Sequence, residues 1–243
     1  LEKDDIVTKI ADPVKKVVMN LLNIEKGSTG ELLFEQTIAV GSALIPLGSA
    51  AYNAYKFFAL NKKLDGKIQV LNRLNDKVQI LEEQHKQFVT RKAFPLVMES
   101  MYHEQEEEKI SIILNGFEKV IDRPDVDESM MRAYYDVLNS LRTSEIIQLI
   151  KYDKRSSDDS RQDLVEYISL LMDDTREGKE RLAEVKGYKN YVGNKLEQLG
   201  LIVIKRKWGS LNGKEVFDNE DKIGLSQFGE NFIDFFKDKK RDV

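Results

Sequence analysis

Leu64-Asp-Gly-Lys-Ile-Gln-Val-Leu-Asn-Arg-Leu-Asn-Asp-Lys-Val-Gln-Ile-Leu-Glu-Glu-Gln-His-Lys-Gln-Phe88 is the stretch that sets the architecture. Leu64, Leu71 and Val78 recur every seven residues, and Leu74, Leu81 and Phe88 fill a second seam. Such spacing places the apolar side chains on one stripe of a helix, and Asn, Asp, Lys, Gln and Glu take the remainder. It predicts one long amphipathic helix over 64–88, about three heptads, packed as a hairpin arm or a coiled-coil strand. Ile68 widens the stripe, and Gly66 weakens its start by about 1 kcal/mol relative to Ala.

Further helices are expected on both sides. Upstream, Asp12-Pro13 offers a cap and a first-turn proline for a stripe of Val14, Val17, Val18, Leu21 and Leu22, ended by Gly27-Ser-Thr-Gly30. Downstream, Pro95 restarts a helical pattern with Leu96, Val97, Met98, Met101 and Tyr102. Ile110, Ile113, Leu114, Phe117, Val120 and Ile121 form a stronger face, followed by a loop at Asp122-Arg-Pro-Asp-Val-Asp127. Met130, Met131, Tyr134, Val137, Leu138 and Leu141 make another helix, Ser144 to Tyr152 a shorter one, and Leu164 to Met172 one more. The polar, Ser-rich stretch 153–162 is the best linker candidate.

One window differs from all of this. No charged residue stands between Glu35 and Lys56, although 33% of the chain is charged. Its length, Gln36 to Tyr55, matches the roughly 20 residues of a bilayer-crossing helix. Tyr52, Tyr55, Lys56, Lys62 and Lys63 flank it as an interfacial belt would. Pro46, Asn53 and many Ala, Gly, Ser and Thr residues lower its hydrophobicity, and small residues equally suit two closely packed helices. Burial as a hairpin in the bundle and insertion into a membrane or partner both stay open. Ile38, Val40, Leu44, Ile45, Leu47, Tyr52 and Tyr55 are the candidate inserting side chains.

The last quarter changes character. Tyr188 to Leu199 reads as a helix ended by Gly200, and Leu201 to Trp208 has β-branched strand composition. Gly209-Ser-Leu-Asn-Gly213 is a turn, Lys214 to Phe217 a returning strand, and Leu225 to Phe236 a closing helix. This order predicts a winged-helix-like module over 143–243, after an N-terminal helical region at 1–92 and a central bundle at 93–142. The expected class is therefore mainly α, with a small α+β module at the C-terminus. In such a module, Lys189, Asn190, Asn194 and Lys195 would lie on the groove-entering helix, and Lys205, Arg206 and Lys207 at the wing. They could neutralise several phosphates, although Glu197, Glu215, Asp218, Glu220 and Asp221 dilute the field.

Composition narrows the function classes. The chain has 243 residues, a formal charge of -4 and no Cys, which excludes disulfide scaffolds, thiolate zinc sites and a cysteine nucleophile. A start of Leu-Glu-Lys-Asp-Asp is acidic where a signal peptide is basic, so a cytoplasmic protein is expected, or one peripheral to the inner face of the membrane. The missing initiator Met points to a processed or truncated chain, or to a non-standard start. Glu82-x-x-His85 has di-iron spacing, but no second such pair exists, so seam packing is favoured. The acidic run Glu104, Glu106, Glu107 and Glu108 fits a helix N-terminus on dipole grounds. No phosphate loop, dinucleotide fingerprint, nucleophile elbow or zinc-protease motif occurs, so no enzyme, cofactor or metal is expected.

Three stretches carry a resemblance. They are Ala93-Phe-Pro-Leu-Val-Met-Glu-Ser-Met-Tyr102 with Glu106-Glu-Glu-Lys-Ile-Ser-Ile-Ile-Leu114; Leu141-Arg-Thr-Ser-Glu-Ile-Ile-Gln-Leu-Ile150; and Leu196-Glu-Gln-Leu-Gly-Leu-Ile202 with Leu225-Ser-Gln-Phe-Gly-Glu-Asn-Phe232. Together, over roughly 90–236, they resemble the bacterial abortive-infection alpha family. The resemblance implies a role in defence against phage and transfers no active-site residue. The expectation is thus a non-enzymatic defence protein that acts on a protein partner, on itself or on a membrane. A winged-helix regulator or sensor that binds nucleic acid is the alternative, and a self-associating scaffold built on the heptad seam is a third.

Overall fold

The computed structural model describes residues 14–24, 60, 63–64, 66–155, 182–205 and 223–237. These residues are mainly helical, with one small two-stranded sheet. The chain forms two compact units, Leu1–Arg132 and Ala133–Val243. The sequence boundaries at 92/93 and 142/143 do not coincide with that division.

In the first unit, α1 (14–21) buries Val14, Val17, Val18 and Leu21. It stops before the expected Gly27. Asn23 adopts a left-handed φ of 54°, and the N–H groups of Asn23 and Ile24 return to the carbonyls of Asn20 and Met19. Asn tolerates that conformation better than most residues, so it ends the helix itself.

The predicted single helix over 64–88 is instead two helices. α2 (Ile68–Gln79) buries Leu71, Leu74 and Val78, then the chain turns at Ile80–Glu82 and α3 (Glu83–Phe88) begins. The cause is tertiary. α2 lies beside α5 (Glu107–Asp122) and points the same way, because Lys63 bonds the Glu104 carbonyl while Arg73 and Lys77 reach Glu118 and Lys77 also reaches Asp122. α5 ends at Asp122, so a straight continuation of α2 would carry Leu81 and Phe88 past the apolar surface they need. Reversal keeps the seam covered: His85 meets the Ile121 carbonyl and the Phe94 ring stands 5.2 Å from Phe117.

The return is continuous helix rather than a fresh start at Pro95. A π-helical turn (Val89–Ala93) joins α3 to α4 (Phe94–His103). Pro95 has no N–H and its ring crowds the carbonyl four residues back, and the wider turn relieves both conflicts. Thr90 donates its hydroxyl to the Lys86 carbonyl at 2.9 Å within that turn.

The second unit begins inside α6 (Glu128–Ser140), whose N-terminus is capped by Asp127 accepting from the Met130 N–H at 2.9 Å. α7 (Thr143–Lys151), α8 (Leu182–Gln198), β1 (Ile202–Ile204), β2 (Ile223–Leu225) and α9 (Gln227–Phe236) follow. Gly200, with φ +71°, ends α8 as expected, and the Gly200 and Leu201 N–H groups bond the Glu197 and Leu196 carbonyls. β1 and β2 pair antiparallel with Ile202 opposite Leu225 and Ile204 opposite Ile223. The partner strand is therefore 223–225; the expected strand 214–217 and the Gly209–Gly213 turn lie outside the described residues.

An aromatic core holds α9 to α6. Tyr134 touches Phe228, Phe232 and Phe235, and Tyr135 packs edge-on to Phe235 and Phe236. Tyr135 is fully buried, and that burial pushes its phenol pKa up. Each such ring contact adds about 1 kcal/mol beyond its buried area.

Candidate functional site: the outer face of α8

The charges buried in the core each have a structural task. In the first unit, Glu104 accepts from the N–H groups of Gln105 and Glu106 at 2.8 Å and pairs with the buried Lys109. It thereby satisfies donors where α5 begins. Lys63 donates to the carbonyls of Met101, Tyr102 and Glu104, covering the end of α4; burial holds its pKa below the usual lysine value. Glu118 bridges Arg73 and Lys77. Burial would depress the Lys77 amine, but hydrogen bonds and charge from Glu118 and Asp122 more than offset it and hold its pKa up.

His85 donates through Nε2 to the Ile121 carbonyl at 2.9 Å, and His103 meets Glu99 on the surface. Glu82 is the residue that precedes α3. No group of metal-ligating side chains occurs among the described residues. A groove of about 650 Å³ runs along α2, lined by Gln69, Asn72, Arg73, Asp76, Lys77 and the exposed Ile80.

In the second unit, two ion clusters fix the helices. Glu145 is 1% exposed and accepts from Lys195 Nζ at 2.7 Å and from the Arg142 N–H at 2.8 Å. Lys195 also donates to the Ser140 carbonyl at 2.6 Å, so one ammonium closes α6 and tethers α7 to α8. Arg155 ties Asp153 to Glu230 and Asp234 on α9. Burial alone would raise the Asp153 pKa, yet the hydrogen bonds and charge of Arg155 hold it below the ordinary carboxylate value.

α8 presents one face to the core and the other to solvent. Val192, Gly193 and Leu196 are buried. At about 100° per residue, Gly187, Tyr191, Asn194 and Gln198 share the opposite strip, and all four are exposed. Tyr188 borders it, its phenol 2.9 Å from Ser144 Oγ, and the Tyr188 and Tyr191 rings stand 6.3 Å apart at 30°. Tyr191 is 57% and Tyr188 44% exposed. β1 packs on α8 and presents Val203, 53% exposed, and then Lys205.

The residues expected to form a basic face are only partly among the described ones. Lys195 is held by Glu145. Lys189 is exposed but stands about 160° around the helix from Tyr191. Asn190 is half-buried, and Asn194 alone of the four expected α8 residues lies on the strip. Lys205 is exposed, whereas Arg206 and Lys207 lie outside the described residues. So do the insertion candidates Ile38, Val40, Leu44, Ile45, Leu47, Tyr52 and Tyr55, and with them the whole charge-free window. Among the described residues no helix is long and apolar enough to cross a membrane.

Sequence reasoning missed Tyr188 and Tyr191. For Tyr191 the signal was available, because it stands about 100° and 140° around the helix from Val192 and Leu196; Tyr188, four residues before Val192, continues their row and gave none. Compared with family models, with curated proteins and with solved structures, the chain finds no match.

Proposed function

We propose that this chain is a non-enzymatic phage-defence protein of the abortive-infection type that acts by binding, through the α8 face of a winged-helix-like C-terminal unit. The order α6, α7, α8, β1, β2, α9 among the described residues supports the winged-helix reading. Buried carboxylates paired with cations and helix ends support binding over catalysis, because those groups serve the fold. The observation that carries the proposal is the solvent-facing Tyr188–Tyr191 pair on a helix whose other side is core. Tyrosine offers a large amphipathic contact area at small entropic cost, which is why binding surfaces favour it.

The test is phage plating on bacteria expressing wild type or Tyr188→Phe/Tyr191→Ala at equal protein levels. Protection by wild type, lost in the variant without loss of helicity, is the expected result. Full protection by the variant would remove the α8 face from the function, and no protection by wild type against a broad phage panel would remove the defence role.

A second reading rests on the uncharged stretch 36–55, which would engage a membrane or partner helices after a phage cue. Liposome flotation and dye leakage with Ala43→Asp and Leu47→Asp variants test it; no binding under any trigger rules it out.

A further inference from the structure

We draw no further inference here: the strongest candidate, the open groove along α2 that runs to the exposed Ile80, is lined by Arg73 and Lys77, which Glu118 and Asp122 of α5 already hold, and nothing among the described residues shows what covers it.

Discussion

Gly229 has no room for a side chain, and replacing it by alanine tests the described packing of α9. A Cβ at this position would lie 2.0 Å from the Leu201 carbonyl oxygen, 2.9 Å from its carbon and 3.2 Å from its Cα. All three are backbone atoms, so no side chain can rotate away. The first turn of α9 would have to retreat from Leu201 by about 1 Å, on the order of the overpacking that costs 1–3 kcal/mol. That retreat also strains the Ser226 N–H bond to the Leu201 carbonyl, 3.0 Å, and the Ser226 hydroxyl bond to the Gly200 carbonyl, 2.5 Å. Each is worth about 1 kcal/mol. Alanine's better helix propensity returns less than 1 kcal/mol. The net expectation is a loss of about 2–4 kcal/mol, local to α8, the sheet and α9.

Amide hydrogen exchange read by mass spectrometry is the suitable assay, because two units need not unfold together. Where exchange follows unfolding of this unit, amides of α8 and α9 should exchange on the order of 30- to 900-fold faster, at 1.36 kcal/mol per decade. Gly200→Ala is the control: nothing lies within 4 Å of its Cβ, so it reports only the φ +71° penalty, about 1–2 kcal/mol. A Gly229→Ala protein as protected as wild type, or more protected than Gly200→Ala, would refute the close approach of α9 to Leu201.

Other expectations follow from the same contacts. Lys195→Met should cost about 3–5 kcal/mol in urea melts, because Glu145 is left buried without its cation, whereas Lys195→Met/Glu145→Leu should recover part of the loss; equal stability of the single variant and wild type would contradict the pairing. The depressed Asp153 pKa contributes stability that is fully present above the ordinary carboxylate value of about 3.9 and is lost as pH falls through the lower folded value. Asp153→Asn should accordingly flatten stability against pH below about 4, and an unchanged acid limb would sink that assignment. In the first unit, Leu74→Ala should cost about 2–5 kcal/mol and Ile80→Ala less than about 0.5, because Leu74 is fully buried and Ile80 is 85% exposed. A large loss from Ile80→Ala would contradict the exposed placement of that side chain at the end of α2.

Features written in a few adjacent residues were legible in the sequence, and features set by distant ones were not. The end of α8 at Gly200 needed only a glycine free to take positive φ after an apolar-periodic helix. The mainly helical class followed from periodicity that local packing respects. The turn at Ile80–Glu82 carries no Gly or Pro, and its position is fixed by where α5 stops, so the heptad count ran through it. The pairing of 223–225 with β1 was not legible, because three residues are too few for an alternating pattern to announce a strand.

The candidate site was legible by helix and not by side chain. α8 was singled out, but its lysines attracted attention and its tyrosines did not. Lys195 is withdrawn by Glu145, a carboxylate 50 residues earlier, and nothing in the local sequence signals that pairing. Exposure of Tyr188 and Tyr191 likewise depends on which side of α8 the core occupies. A helical-wheel comparison with Val192 and Leu196 would have found Tyr191 but not Tyr188, which continues their i, i+4 row.

The central claim is that the outer strip of α8 is the working surface. It is tested most directly by phage plating on bacteria that express Tyr191→Ala or Ile80→Ala at wild-type level and with wild-type helicity, because both side chains are exposed but only Tyr191 lies on the strip. Protection is expected to be lost in Tyr191→Ala and kept in Ile80→Ala. Full protection by Tyr191→Ala would contradict it.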